Sequence, residues 1–284
     1  MTKIIGQTKN PISVTVKYLN HSTKDMKLKF LGTGGGRYVT GLQSRKTGGI
    51  IVQTEETQIH VDPGPGALHH CHKELENPLD TEAEIVSHGH PDHYTDAEPI
   101  IGMMTQASDK PGALFAPESV LQGYGEVEKA VSDYHQELCM KVEEMKDGSK
   151  HSFKDIEIES QEMNHGDPKT QGFTLQTKNK KIGFWTDTQY SEELTNLYND
   201  CDTLIIYCGR PKNAGLRGHT SLDQIPKITE QTEVENIIIT HFGQKFLNTN
   251  MDKQEKWLKE KVDAQVTFAE DGMTYPGNRS LGDF

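Results

Sequence analysis

The sequence is short of cysteine and contains no long apolar run. Among its 284 residues there are only four cysteines, with no Cys-x-x-Cys pair between them: Cys71, Cys139, Cys201 and Cys208. Scattered single cysteines suit a reducing compartment better than a disulfide scaffold, so we expect a cytoplasmic protein. No stretch approaches the 18 or so apolar residues of a membrane span, and residues 1–17 lack the apolar core of a secretory signal. We therefore expect no membrane partner.

Positive charge is also scarce. The chain carries 30 basic and 42 acidic residues, a net charge of −12. Such a charge repels phosphate backbones at long range, so we expect no large basic nucleic-acid surface, although a local basic pocket remains compatible. The length is sufficient for a sizeable core. Strand and turn patterns place a main domain at residues 27–284, preceded by an N-terminal extension at 1–26 that contains a weak strand pattern, Ile12–Val16.

The most informative stretch is Ser87–His93, which contains the pattern His-x-His-x-Asp-His. Neutral imidazole is a ligand for zinc, iron or manganese, and carboxylate oxygen suits the harder of these ions. The stretch follows a short buried strand pattern, 83–87, and precedes a helix pattern at about 95–106. Four metal-capable side chains on one strand-to-helix loop therefore predict a metal site.

Further candidates follow other predicted strands. Apolar strand patterns end at five such positions: Asp62, His88, His165, Asp187 and His241. Side chains at strand ends meet on one rim of a sheet, where layered folds place their sites. The other histidines are expected to be ordinary surface or core residues: His21, His60, His69, His70, His72, His135 and His151. Cys71, beside three of them, fits a solvated helix face better than an accessory metal site.

Two motifs leave alternatives open. The glycine-rich loop Gly32–Gly36 is either a plain tight turn or a set of exposed amide groups for an anion, and it lacks the ending of a Walker loop. Asp62, in Val-Asp-Pro-Gly, either caps a helix predicted at 67–76 or orients a metal ligand. Ser221 and Gln224 have capping-box spacing and predict a helix start.

Taken in order, these motifs resemble those of the metallo-β-lactamase superfamily of metal-dependent hydrolases, over about residues 27–272. The resemblance implies an α/β fold, an αββα sandwich of two mixed β-sheets flanked by helices. It also implies two divalent metal ions, zinc foremost, with manganese or iron as alternatives. One ion would be held by His88, His90 and His165, and the other by Asp92, His93 and His241. Asp187 would bridge them, and Asp62 would orient a ligand from behind.

Within the superfamily, the chain resembles the ribonuclease Z and cyclic phosphodiesterase branch. Asp187 stands where many zinc β-lactamases have cysteine, and His219 precedes His241 by 22 residues, as in the His-Ser-Thr-type loop of that branch. Only 21 residues separate His165 from Asp187, which leaves no room for the tRNA-binding arm of ribonuclease Z. We therefore expect a small or cyclic phosphodiester, or a short RNA, as the substrate.

The resemblance implies a mechanism in which water activated between the two ions attacks phosphorus. Asp92 and His219 are the expected catalytic residues, with His219 assisting at a phosphate oxygen. Arg37 and Arg217 are candidates for binding a remote phosphate, although each also fits an ordinary surface position. The alternatives are a hydrolase of lactone, thioester or β-lactam carbonyls using the same site, and a metal-binding fold without activity. A homodimer is compatible with the sequence.

Overall fold

The computed structural model describes residues 26–277 of the chain. Within that range it contains 14 β-strands, here numbered in chain order. They are β1 Lys27–Phe30, β2 Ile50–Gln53, β3 Gln58–Val61, β4 Thr81–Ile85, β5 Ala113–Ala116, β6 Lys141–Glu144, β7 Lys150–Phe153, β8 Ile156–Glu162, β9 Gln171–Gln176, β10 Lys181–Trp185, β11 Thr203–Tyr207, β12 Asn236–Thr240, β13 Gln265–Phe268 and β14 Thr274–Tyr275.

The strands form two seven-stranded mixed sheets. The first has the order β14-β1-β2-β3-β4-β5-β6, and the second has the order β13-β12-β11-β10-β9-β8-β7. In the first sheet β3 to β6 are parallel neighbours, and in the second β10 to β13 are. Parallel neighbours end at the same edge of a sheet, which is the arrangement that collects functional side chains there.

Nine α-helices lie among the described residues: α1 Arg37–Leu42, α2 Ala67–Lys73, α3 Pro91–Tyr94, α4 Ala97–Thr105, α5 Glu118–Leu121, α6 Asp133–Leu138, α7 Ile225–Glu230, α8 Gln244–Leu247 and α9 Met251–Lys259. Short 3₁₀ turns add Pro78–Asp80, Glu192–Tyr198 and Leu222–Gln224. Helix α4 shows why such segments form. Its proline lies in the first turn, where a missing N–H costs little, and Ile101 and Met104 bury one face. No helix in the described range is both long and apolar enough to cross a membrane.

Three apolar layers separate the sheets and helices. The innermost cluster joins residues of both sheets, such as Phe30 and Phe115 from the first with Phe184 and Ile205 from the second. A second cluster packs the outer face of the second sheet against helices α7 and α9, and a third packs the first sheet against α4. The order of layers is helix, sheet, sheet, helix, which confirms the expected αββα sandwich of two mixed sheets.

Most predicted elements are present, with differences at their ends. The apolar pattern at 138–142 predicts a strand over those residues, but β6 begins only at Lys141, because Leu138 ends helix α6 and packs with Cys139 in the helix-side cluster. The helix predicted at 67–76 ends at Lys73. The capping box of Ser221 and Gln224 is confirmed, and it opens a 3₁₀ turn that leads into α7. The strand predicted at Ile12–Val16 and the extension 1–26 lie outside the described residues, except for Met26.

Two polar side chains are buried on the outer face of the first sheet. His60 on β3 and Glu84 on β4 are register partners, and the strand neighbours of each belong to the inner core. Both are fully buried, and neither His60 Nδ1 nor either carboxyl oxygen of Glu84 has a hydrogen-bond partner. Burial lowers the pKa of His60 to about 4. Burial, with Asp62 and Asp96 nearby, raises the pKa of Glu84 well above its usual value.

We expect the free energy of unfolding of the wild-type chain to depend on pH through Glu84, and we expect the variant Glu84→Gln to lose this dependence. A carboxyl group whose pKa is higher in the folded state contributes stability below its unfolded pKa, 4.5, and loses it as the pH rises towards the folded value. A tenfold difference in proton affinity between the folded and unfolded chain is worth about 1.4 kcal/mol, so the free energy of unfolding should fall by more than about 1 kcal/mol between pH 5 and pH 8 relative to the variant. Denaturant titrations at both pH values measure this difference, and an equal difference at the two pH values would contradict it.

Candidate metal centre

The candidate residues lie on loops that leave the two sheets at one edge of the sandwich. β3 and β4 in the first sheet, and β8, β10 and β12 in the second, each lead into one of these loops. Within the described residues, the structure therefore brings together side chains up to about 180 positions apart in the chain: Asp62, His88, His90, Asp92, His93, His165, Asp187 and His241.

Three imidazole rings meet on one side of this edge. The Nε2 atoms of His88 and His165 lie 3.0 and 3.1 Å from Nδ1 of His90. Nδ1–H of His165 donates to the Gly218 carbonyl at 2.6 Å, so the Nε2 of that ring carries the lone pair. Burial is the main cause that lowers the pKa of each ring, to about 4 for His165 and well below the usual value for His88. Neutral rings whose nitrogens converge form a ligand set for a divalent cation.

A second group combines one carboxylate with two rings. Nε2 of His241 lies 3.2 Å from Oδ2 of Asp92 and 3.1 Å from Nε2 of His93. The backbone N–H of Gly36 donates to the same Asp92 oxygen at 2.6 Å. Burial alone would raise the pKa of Asp92, but His93 and His241 hold it well below its usual value. An ionised, buried carboxylate requires positive charge beside it, and a metal cation at this point would supply that charge.

Asp187 lies between the two groups: it contacts two rings of the second group and comes within 4.8 Å of ligand atoms of the first. Its Oδ2 is 3.2 Å from Nε2 of His93 and 3.4 Å from Nε2 of His241, and its Oδ1 is 3.4 Å from Nδ1 of His219. Its ligand-capable atoms lie within 4.8 Å of those of His88 and His93, and of those of His165 and His219. The donor set therefore fits two cations that share one carboxylate.

Asp62 does not cap a helix. It contacts His93 and the residues around it. Its Oδ2 accepts hydrogen bonds from the hydroxyls of Ser87 and Tyr207, both at 2.9 Å, and lies 3.0 Å from Nδ1 of His93. Its Oδ1 accepts the backbone N–H of Ser87 at 2.7 Å. Helix α2 is instead contacted by Asp96, whose carboxylate accepts the N–H of Leu68. The helix-cap alternative for Asp62 is therefore wrong.

Backbone geometry at the centre is specialised. Asp62 and His241 both have left-handed backbone conformations, with φ of 49° and 60°. Residues other than glycine rarely adopt such conformations. A Cβ on Gly35 would lie 2.2 Å from ring atoms of His241, so only glycine allows this close approach. The amides of Gly34, Gly35 and Gly36 bond to the protein itself. The glycine-rich loop thus packs against His241 and Asp92, a role that neither sequence interpretation covered.

Two residues that sequence reasoning missed hold these loops. Tyr207 ends β11 at the same edge, stacks on His241 with ring centroids 5.2 Å apart, and donates to Asp62. Asp167 is fully buried, and its Oδ2 accepts the N–H of Gly89 at 2.8 Å and the hydroxyl of Ser119 at 2.6 Å. The available signal for Tyr207 was its hydroxyl-bearing side chain at the end of the apolar run 204–207, whose pattern predicts a short strand. No sequence signal marked Asp167.

His219 stands where two open clefts meet at the centre. The larger, about 660 Å³, is lined by Arg37, and the smaller, about 490 Å³, by Arg217. The two arginines therefore lie in separate clefts rather than around one phosphate.

Cys71 is fully buried against Leu31 and Ile51, so its predicted solvated setting is wrong. Within the described range, neither Cys71 nor its histidine neighbours belong to a group of three converging ligand atoms.

Comparison with known proteins places this geometry in a family. Residues 57–242 match the family model described as the beta-lactamase superfamily domain. The chain is 36% identical over 253 residues to the uncharacterized protein MJ1374 of Methanocaldococcus jannaschii, covering 87% of this chain and 94% of that protein. The metallo-beta-lactamase fold protein YhfI of Bacillus subtilis superposes with a TM-score of 0.72 at 17% identity, over 88% of this chain and 98% of YhfI.

The short form of human tRNase Z superposes with a TM-score of 0.62 at 15% identity, over 87% of this chain and 98% of that one. At such identities the two structures show a shared fold. The family model covers well over half of the chain, and the M. jannaschii relative nearly all of it. The chain therefore belongs to the beta-lactamase superfamily, whose members are generally metal-dependent hydrolases.

Proposed function

We propose that the protein is a dinuclear metal-dependent phosphodiesterase acting on a small or cyclic phosphodiester or an RNA-type substrate. The observation that carries the proposal is the position of His219, whose imidazole Nδ1 lies 3.4 Å from Oδ1 of Asp187 at the point where the two clefts meet. A carbonyl hydrolase needs an activated water and an oxyanion site, whereas an additional acid at the reacting oxygen suits the poorer leaving groups of phosphodiesters. The likeness to human tRNase Z, a protein named for its action on tRNA, agrees with this choice.

The residues of the centre have separate tasks in this proposal. His88, His90 and His165 would hold one ion, Asp92, His93 and His241 would hold the other, and Asp187 lies near enough to both groups to serve both ions. We expect zinc, with manganese or iron as alternatives, since carboxylate and imidazole ligands accept all three. When bound, such ions supply an activated water at neutral pH and stabilise charge on the phosphate oxygens.

His219 is placed to give a proton to the substrate. Burial opposes its charged form, but the hydrogen bond to Asp187 and the carboxylate charge outweigh burial and raise the pKa of His219 above its usual value. With Nδ1–H directed at Asp187, the Nε2–H of a charged ring is the donor left for a phosphate or leaving-group oxygen. His219 lines both clefts, so substrate in either can reach it.

The proposal is tested with bis(p-nitrophenyl) phosphate and protein of known metal content. Zinc- or manganese-loaded protein is expected to release p-nitrophenol, and chelation followed by dialysis is expected to abolish release until metal is restored. Fully loaded protein that leaves this diester intact while hydrolysing a lactone or a β-lactam would overturn the proposal in favour of a carbonyl hydrolase.

We expect Asp167→Asn to weaken one metal site selectively. Asp167 binds Gly89, which lies between His88 and His90, so an amide nitrogen facing the Gly89 N–H would displace that loop. Loss of a side chain that positions metal ligands typically costs about 10–100-fold in metal affinity. Competition titration with a chromophoric chelator should show one of two binding steps weakened to that extent. The exposed Asp133→Asn is the control, and two unchanged steps in Asp167→Asn would contradict the prediction.

A further inference from the structure

Arginine is rare in this chain and is concentrated at the clefts. Only five of the 30 basic residues are arginines, and four of them lie in the described range: Arg37, Arg45, Arg210 and Arg217. Three of these four line the clefts that meet at His219. Arg45, the fourth, has a structural role, since it donates to Thr33 and to the Ala269 carbonyl. Guanidinium binds phosphate through a rigid fork of donors, so this distribution indicates an anionic ligand.

The larger cleft is cationic in an acidic protein. Arg37, Arg210 and Lys245 line it, whereas no aspartate or glutamate does, although acidic residues outnumber basic ones by 12 in the whole chain. Within the described residues none of these three cations forms an ion pair, and Arg210 uses only its Nε, which donates to the Ala214 carbonyl. Cations without partners attract an anion to this cleft in addition to the phosphate that would bind at the metal centre.

The rim of the same cleft offers flat apolar surface. The ring of Tyr38 is 69% exposed and Leu216 is 48% exposed, and both line the opening. An exposed aromatic ring is a stacking surface for a planar group such as a nucleobase. Cationic walls with an aromatic rim fit a substituent that carries both a phosphate and a ring.

The smaller cleft also reaches His219 and differs in chemistry. Gln189, Arg217 and Gln224 line it, and it shares only Leu216 and His219 with the larger one. A phosphorus atom at the metal centre thus has two separate channels for its two ester substituents. A cyclic diester, whose two ester oxygens belong to one ring, would use only one of them.

We infer that the substrate is an acyclic phosphodiester with two unequal arms, and this inference rests on the proposed phosphodiesterase function. The larger arm carries a second phosphate and a planar ring, and it occupies the cleft of Arg37, Arg210 and Lys245. The smaller arm occupies the cleft of Arg217 and leaves. Hydrolysis forms a bond from a water oxygen to phosphorus and breaks the bond from phosphorus to the oxygen of the smaller arm. That oxygen takes a proton from His219 and departs as an alcohol, and the proton that the attacking water releases restores the charged His219 through the solvent.

The test compares two p-nitrophenyl esters with metal-loaded protein: thymidine 5′-(p-nitrophenyl phosphate) with and without a 3′-phosphate. The 3′-phosphate is expected to raise kcat/KM by about tenfold or more, the effect of one charge-assisted contact. Arg37→Met and Lys245→Met should each remove most of this preference, and Arg37→Lys should retain part of it. Arg217→Met should retain the preference, since Arg217 lies in the other cleft. Lys261→Met, an exposed cation outside both clefts, is the matched control and should leave rate and preference unchanged.

Equal kcat/KM for the two esters would overturn the inference while leaving the phosphodiesterase function intact. Faster hydrolysis of thymidine 3′,5′-cyclic phosphate than of either ester would also overturn it. If neither these esters nor bis(p-nitrophenyl) phosphate is hydrolysed, the proposed function fails and this inference fails with it.

Discussion

Replacing His219 by alanine is expected to lower the turnover of a phosphodiester whose leaving group is an alkoxide by about 10²–10⁴-fold, the usual contribution of a general acid. The variant removes the imidazole that lies 3.4 Å from Oδ1 of Asp187 and lines both clefts. It leaves untouched the two three-residue groups that would hold the ions. Steady-state kinetics and elemental analysis on the same sample measure the two consequences, and the metal content should stay at the wild-type value.

The metal analysis also separates two roles for His219, because its ring nitrogen lies within 4.8 Å of ligand atoms of His165 and Asp187. If His219 is a metal ligand, its removal lowers the metal content of the protein. If it is a general acid, the metal content stays the same. His69→Ala, on the exposed side of helix α2, is the matched control and should change neither quantity. Unchanged turnover with full metal content would remove His219 from the mechanism.

The largest effect on stability is expected for Asp62→Ala. Asp62 is 3% exposed, and its carboxylate accepts the backbone N–H and hydroxyl of Ser87 and the hydroxyl of Tyr207, and contacts His93 Nδ1. Its removal leaves several buried donors without an acceptor, which typically costs about 3–5 kcal/mol when a buried charged partner is involved. Denaturant unfolding of metal-free protein measures this loss without the contribution of bound ions.

Tyr207→Phe is the graded comparison for Asp62→Ala. It removes one donor to Asp62 and keeps the ring that stacks on His241, so about 0.5–1.5 kcal/mol is expected. If Asp62→Ala lowers the free energy of unfolding by no more than Tyr207→Phe does, the hydrogen bonds of Asp62 do not stabilise these loops as argued.

One part of the site was predictable because four of its candidate ligands lie close together in the sequence. His88, His90, Asp92 and His93 lie within six residues, and the strand before them was visible as an apolar run. His165, Asp187 and His241 could be identified because each follows a strand pattern, but only the resemblance assigned them to two groups. The structure brings these seven together, and their roles as ligands stay a prediction until metal is measured.

The remainder depends on contacts between distant segments. Asp167 contacts Gly89 across 78 residues and Tyr207 contacts Asp62 across 145, and no local pattern encodes either pair. Arg37 and Arg217 line clefts that reach His219, and their role in binding phosphate stays a prediction. Their separation depends on how the loop before His219 lies between the two clefts, which no local pattern encodes. Strands β7 and β14 were missed because short polar segments lack the alternation that marks a half-buried strand.

A shared dinuclear centre is best tested by elemental analysis of the purified chain after dialysis without chelator. We predict about two divalent ions per chain, with zinc, manganese or iron as the metal. For Asp187→Ala we predict a value of about one or below, because the ligand atoms of Asp187 lie within 4.8 Å of ligand atoms in both groups. A wild-type chain that binds no more than one ion, or an Asp187→Ala variant that still binds two tightly, would contradict such a centre.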